Sequence, residues 1–468
     1  MIKYGDWGLG IGDWGLGIGR GNKAFYMEAV KIGFPIMIQQ LIIFAVGLCD
    51  TIMVGKVSTQ ALAAVGSANQ ITMVYLNTVF GFLSGVGVFA VQYWGIRDLK
   101  TLRKLLGVAY SVVLAAGIPM TILAWVFAPE LISIFSKDAE VVAIGTEYMR
   151  IAVFTFIITG ITFTISYNSR AIAMLKWPTV FNAVAVSLNI FLNWVLIFGK
   201  FGMPAMGAKG AAAATLISRV IELSMLLLYV YLSKGHPLRA TLRELKYEKE
   251  LLKRVVRTAY PVVLNEFLWI LSFSTTYAIY GHIDAKGTAL AVSQISMTVS
   301  DIFMAIFCGI ANACMVIVGQ ELGRGNTDAA FLSAKKCLRL VWAANIICTV
   351  GLILSRGFII GIYDYEPDVN KMITDTLLVS ALTMSPRMLS YTFICGILRP
   401  GGDTVWGFFA DAGLNWLLSV PLAFISVYVL KWPLAGCMAL VAIGEVVKTI
   451  ASYRRFYSKK WMNIFTGR

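Results

Sequence analysis

Apolar residues dominate this chain in long runs separated by short polar stretches. Each run approaches or exceeds the roughly 20 residues that a helix needs to cross hydrocarbon. Read over a window of about 19 residues, the runs fall near 29–55, 64–92, 105–128, 147–169, 179–199, 211–232, 258–281, 288–318, 337–362, 376–398, 405–429 and 434–452. The pattern predicts an all-α membrane protein of twelve transmembrane helices, with both termini on one side because the count is even.

The pattern also repeats. Pro35 to Gly55 aligns with Pro261 to Gly281 at a shift of 226, proline to proline and glycine to glycine. Gln92 to Gly95 answers Gln320 to Gly323 at a shift of 228, Ser166-Tyr167 answers Ser390-Tyr391, and Leu192 to Trp194 answers Leu414 to Trp416. An even number of spans in each half gives both halves the same orientation, so the predicted fold is two six-helix lobes related by a pseudo-twofold axis along the membrane normal. The expected divisions are a tail over 1–24, an N-lobe over 25–232, a basic linker over 233–256, a C-lobe over 257–452 and a basic tail over 453–468. Pro35 and Pro261 each remove a helical hydrogen bond at matching places, which reads as a pair of hinges or as ordinary tolerated kinks. Carriers commonly use such parallel repeats, rocking two bundles about a central site.

Composition agrees with a membrane class. Of 468 residues, 58% are hydrophobic and 14% charged, with a mean hydropathy of +0.75, whereas a soluble chain is about a quarter charged. This excludes a disordered protein, a disulfide scaffold and almost any cytosolic enzyme. The net charge of +15 would suit nucleic acid if it formed a patch, but it sorts by loop. Placing the termini in the cytoplasm puts 29 of 40 basic residues inside, eight outside and three (Arg150, Arg219, Arg387) within spans. Lys and Arg accumulate on the cytoplasmic side, so the charge reports orientation in the cell membrane and contact with lipid, and no nucleic-acid partner is expected. Seven cysteines lie in or beside apolar runs without paired spacing, and only His236 and His282 accompany them, so neither a disulfide framework nor a zinc site is expected. Residues 5–18 repeat a heptapeptide in tandem, interrupted by Asp6 and Asp13. They do not read as a cleaved signal peptide, and a flexible tail and a gate plug are the alternatives.

Several ordered motifs carry a family resemblance. Asp50 to Gly55 followed by Ala61 to Gly66, Gly210 to Thr215, Val318 to Gly323, and Leu398 to Thr404 resemble the multidrug and toxic compound extrusion (MATE) family over about residues 25–455. The resemblance implies two six-helix lobes, a central cavity that opens to each side alternately, and export of a substrate against inward Na⁺ or H⁺, with no other cofactor. This chain has Arg399-Pro400 where the family usually has Arg-Gly, a change expected to stiffen the end of the tenth helix.

An acid inside hydrocarbon costs several kcal/mol and is a functional hypothesis by default. The resemblance marks Asp50, in the first span, as the cation-linked aspartate. It also implies partners in Asn189 and Asn193 on the fifth span and in Ala211 and Thr215 on the sixth, Ala211 through its carbonyl. Neutral oxygens around one carboxylate suit Na⁺ at Asp50 or a proton. Asn193 stands where the family commonly has Asp, and Met388 where it often has an acid, which removes negative charge from any Na⁺ site. An asparagine ladder that merely ties helices together is the alternative.

Glu266, in the seventh span, matches the family's glutamate there. Trp269, Phe273, Tyr277 and Tyr280 follow it at helical spacing on one face. An acid above aromatic rings suits a lipophilic organic cation through charge and cation–π attraction, and a packing stripe is the alternative. Asp301 and Asp411 are further acids within spans, and Arg387 is expected to pair with Glu266, Asp301 or Asp411. Arg219 with Glu222 and Glu445 with Lys448 are spaced as i,i+3 structural ion pairs.

The leading functional reading is a secondary active exporter of amphipathic, often cationic, small molecules. It works as a monomer, since the repeat already supplies two halves. A flippase for a lipid-linked sugar is the alternative within the same architecture. It would line its cavity with more basic residues, for which Arg387 and Arg219 are the sequence candidates. An enzyme is not expected, because no nucleophile, base or metal set converges in the spans. No GxxxxGK[ST] stretch occurs for ATP, and the repeat disfavours a channel.

Overall fold

The computed structural model describes residues 22–284, 288–363 and 366–467, so the tandem repeat at 5–18 lies outside the described residues. Helices account for the twelve expected spans. In the N-lobe these are α1 (Asn22–Gly55), α2 (Thr59–Gly95), α3 (Leu99–Val126), α4 (Ala139–Ala152 and Phe154–Ala171, bent by 42°), α5 (Lys176–Phe198) and α6 (Gly207–Leu232). The C-lobe comprises α7 (Lys249–Tyr280), α8 (Thr288–Gly323), α9 (Thr327–Tyr363), α10 (Pro367–Tyr391, continued by a π-helix over Thr392–Leu398), α11 (Thr404–Val429) and α12 (Leu434–Tyr457). Most spans pass individually on length and hydropathy, and the bent α4 passes as one unit. In α10, Ser380, Thr383, Ser385, Arg387 and Ser390 dilute the apolar run.

Most helices outrun the apolar blocks that predict them, because polar residues continue or cap them beyond the hydrocarbon. Ser58 Oγ accepts the Ala61 N–H at 3.0 Å to open α2, and Asp98 accepts the Thr101 N–H at 3.0 Å to open α3. Each such cap is worth about 1 kcal/mol. Helix α7 begins at Lys249, so the last third of the basic linker is helical. The remainder packs down on α3: a Cβ at Gly107 would stand 1.9 Å from the Leu245 carbonyl oxygen, and Glu248 pairs with Lys104 at 2.5 Å.

The lobes meet along α1 with α8 and α2 with α7. Close backbone approach depends on glycine there. A Cβ on Gly309 would sit 2.6 Å from the Gly33 carbonyl oxygen and 3.3 Å from Met37 Cβ, and one on Gly81 would sit 2.8 Å from Val263 Cα. These contacts exchange under the sequence repeat, since Met37 aligns with Val263 and Gly81 with Gly309. The same relation pairs Gly95 with the Gln320 carbonyl and Gly323 with the Gln92 carbonyl. Such reciprocal contacts are the mark of a twofold interface.

All of these approaches lie in the half of the bundle that carries the linker and the described C-terminal tail, here called the basic end. The main apolar core also crosses between lobes there, joining Val88, Phe89 and Val91 to Val255, Ala313 and Val318, while a second core of Ile279, Val292, Leu352 and Leu377 stays within the C-lobe. Towards the opposite end, a Cβ at Gly47 or Gly66 would meet nothing within 4 Å. The lobes are therefore closed together at one end. Outward-facing Ile347 and Leu354 are 70% and 77% exposed, as expected of surfaces that lie against lipid.

Candidate functional site

The five N-lobe residues implied by the resemblance form one continuous chain of hydrogen bonds. Asp50 Oδ1 on α1 accepts from Asn193 Nδ2 at 2.5 Å, and Asn193 Nδ2 also donates to Asn189 Oδ1 at 3.3 Å. Asn189 Nδ2 donates to Thr215 Oγ1 on α6 at 3.3 Å, and that hydroxyl donates to the Ala211 carbonyl at 3.0 Å. Asn189 and Asn193 fall one turn apart on α5, so one helix face supplies both amides. Asn193 is wholly buried, and its Oδ1 has no donor. Among the described residues no cation lies within ion-pair distance of Asp50; Arg219, whose charge reaches it, is held at 2.6 Å by Glu222. Asn182 donates to the same Glu222 at 2.8 Å, so the i,i+3 pair on α6 is structural.

The C-lobe acids have different surroundings. Glu266 pairs with Arg399 at 2.9 Å, and the other end of that guanidinium donates to Ser84 of the N-lobe at 2.9 Å. Asp411 receives Lys448 at 3.0 Å and the Asn265 amide at 3.1 Å, and Lys448 also holds Glu445 at 2.8 Å. The expected partnership of Arg387 with Glu266 or Asp411 is therefore corrected: Arg399 and Lys448 occupy those carboxylates. Arg387 lies close enough to Asp301 for its charge to be felt, without an ion pair among the described residues. Trp269, Phe273, Tyr277 and Tyr280 do form a stripe, with successive ring centroids 5.8, 4.9 and 6.4 Å apart. Tyr277 anchors it by donating to the Ser293 carbonyl at 2.9 Å. Pro35 and Pro261 sit inside uninterrupted helices.

Between the lobes lies a cavity of about 760 Å³, counting its open side, lined from α1, α2, α4, α8 and α10. Its two cationic linings, Arg170 and Arg399, are ones that sequence reasoning assigned to cytoplasmic loops. Arg399 is only 5% exposed. Both directly end an apolar run, and that position was the available signal. Their inward aim follows from helix packing over separations of 131 and 133 residues, as in Arg170 with Gln39 and Arg399 with Glu266. All four π-helical segments among the described residues fall in α10 and α11, one ending next to Arg399 and one containing Asp411. Such segments are frequent at functional sites.

The chain is similar to known proteins over most of its length. A probable multidrug resistance protein NorM from Thermotoga maritima is 26% identical over 442 residues, covering 93% of this chain and 92% of the relative. The multidrug resistance protein MdtK of Edwardsiella ictaluri is 25% identical over 410 residues, covering 84% and 86%. Among solved structures, one titled as the outward-facing conformation of a multidrug resistance MATE family transporter superposes with a TM-score of 0.85 at 17% identity, covering 95% of this chain and all of that one. The family model described as MatE matches residues 35–195 and 261–425, one stretch in each lobe. With both halves matched and the two-lobe fold in place, the chain belongs to the MatE family of membrane transporters.

Proposed function

We propose that this protein is a secondary active multidrug exporter that moves amphipathic small molecules, organic cations among them, in exchange for H⁺ entering at Asp50. The observation that carries the proposal is the Asp50–Asn193–Asn189–Thr215–Ala211 chain. It joins α1, α5 and α6 through one carboxylate that no cation neutralises among the described residues. The Asn193 NH₂ faces Asp50, and an amide NH₂ donates hydrogen bonds but does not ligate a cation. One negative charge so arranged suits a single proton better than an oxygen cage for Na⁺. Protonation removes the charge that the Asn193 donor stabilises, which loosens α1 from α5 and changes their packing. Names of relatives such as multidrug resistance protein MdtK support the substrate breadth.

The excess of basic residues at the closed end supports a cytoplasmic position for it, with the cavity then facing outward. In that state the proton enters from outside as substrate leaves, and rocking about the twofold interface reverses the opening. Each lobe supplies one wall, so a monomer suffices. The aromatic stripe from Trp269 to Tyr277, with Asp301 one helix away, supplies surface for flat cationic molecules.

The test is ethidium efflux in proteoliposomes under an imposed pH gradient or an imposed Na⁺ gradient, in wild type, Asp50→Asn and Glu266→Gln. A pH gradient is expected to drive efflux in wild type, and Asp50→Asn to abolish the coupling. Efflux driven by Na⁺ alone would reassign the ion, and efflux indifferent to both gradients and both substitutions would overturn the antiporter.

A further inference from the structure

The cavity between the lobes holds two guanidinium groups and compensation for one. Arg399 is satisfied by Glu266 and Ser84. Arg170 donates from NH2 to the neutral Gln39 Oε1 at 3.1 Å and lies over the Tyr167 ring at 4.5 Å. Its Nε is buried with no acceptor, and no carboxylate lies within 4 Å of it among the described residues. A buried donor left unmade costs about 1–3 kcal/mol, more when charged. A place in the last turn of α4 gives Arg170 a favourable helix dipole of roughly 0.3–1 kcal/mol, but supplies no acceptor to that nitrogen.

The repeat sharpens the imbalance. The position equivalent to Glu266 in the N-lobe is Gln40, which also lines the cavity. The C-lobe thus carries its own counter-ion for the cavity arginine and the N-lobe does not. The remaining walls are suited to the apolar part of an organic molecule: Ile36, Phe80, Met315 and Tyr391 surround the polar groups. A guanidinium fork is matched by a carboxylate, which takes two parallel hydrogen bonds.

We propose that Arg170 is the anion-binding residue of the interlobe cavity and receives the carboxylate of an aromatic amphiphile there. The inference rests on the exporter reading only for the claim that the bound molecule is cargo. Accepted substrates then include acids as well as cations, the acid seated at the interface and the stripe on α7 left to flat cationic surfaces.

The experiment is equilibrium binding of radiolabelled 2-naphthoate and of its isosteric cation, 2-naphthylmethylammonium, to the full chain in phosphatidylcholine nanodiscs without any gradient. Wild type is expected to bind naphthoate about ten-fold tighter than the cation, a difference of about 1.4 kcal/mol. Arg170→Gln is expected to remove that preference, and Arg170→Lys, which keeps the charge but not the fork, to keep only part of it. Gln40→Glu, which leaves Arg170 in place and supplies the missing acid, is expected to weaken naphthoate about ten-fold without weakening the cation. It keeps the proposal testable if Arg170→Gln does not fold. Equal affinity for the two probes in wild type, or naphthoate binding unchanged in Arg170→Gln or Gln40→Glu, would overturn the assignment. Ethidium efflux under a gradient is read separately in proteoliposomes, so a failed exporter and a failed anion site give different results.

Discussion

At the scale of single residues, Asp50 and Asp411 show how two acids in similar helices come to opposite states. Asp50 meets only amide and hydroxyl groups along its chain of partners. Asp411 shares Lys448 with Glu445, two acids around one ammonium that is 1% exposed. Removing one partner from a buried ion pair costs about 3–5 kcal/mol, so Lys448→Met is expected to lower the thermal unfolding midpoint in detergent markedly. The double variant Lys448→Met/Glu445→Gln, with one fewer stranded charge, is expected to recover part of the loss, whereas an unchanged midpoint in Lys448→Met would mean the triad is not structural.

His236, in the linker, gives a prediction in pH. It is buried against Tyr229, its Nδ1 accepts the Leu238 N–H at 3.2 Å, and its Nε2 has no partner. Burial holds its imidazole down at about 4, against an ordinary 6.5. The unfolded chain takes up this proton near pH 6.5 and the folded chain only near 4, so His236 costs stability as pH falls through that window. His236→Asn keeps an acceptor near the Leu238 N–H without a titrating group. Its midpoint is expected to fall less than that of wild type between pH 7.5 and 4.5.

At the scale of elements, the contact between α2 and α7 depends on the lack of a side chain. A Cβ on Gly85 would stand 2.4 Å from Ala259 Cβ and 2.5 Å from its Cα, a clash that only separation of the helices relieves. Gly85→Leu is therefore expected to hold the basic end apart. Reactivity of a cysteine placed nearby on α2 should rise relative to the Gly85 parent, and equal reactivity would mean the helices do not need this closeness. The twelve spans themselves were legible because hydrocarbon thickness imposes a length that composition records directly. The π-helical stretches over Thr392–Leu398 and Phe409–Gly413 were not. They add a residue to a turn without changing hydrophobic character, and no periodicity in so short a stretch reveals it.

At the scale of the whole molecule, legibility divides the same way. The Asp50 group could be read because the family resemblance singles out its residues, and the two asparagines fall one turn apart on one helix face. Arg170 and Arg399 could not be assigned, because a basic residue at the end of an apolar run is equally consistent with a loop, and only tertiary packing turns it inward. The chain after α12 is a similar case. It reads as a basic tail, yet Trp461 is fully buried and the next residues tie the lobes together. Gln92 of the N-lobe donates to the Asn463 carbonyl at 2.9 Å and accepts from the Phe465 N–H at 2.8 Å, and Tyr93 donates to the Phe465 carbonyl at 3.1 Å. On the C-lobe side, Asn463 Nδ2 donates to the Gly401 carbonyl at 2.8 Å and Thr466 to the Gly323 carbonyl at 2.6 Å. Five such bonds at about 0.5–1.5 kcal/mol net apiece form a strap that exists only while the lobes are closed at this end, since both sides must be within its short reach. A ligand or segment shifts a conformational equilibrium by its difference in affinity for the two states, so removing 463–468 is expected to move the population towards separation at the basic end. Spin labels on the basic ends of α2 and α8 should report a longer mean distance in the truncated protein. A distance distribution identical to that of the full chain would mean the tail follows closure without contributing to it.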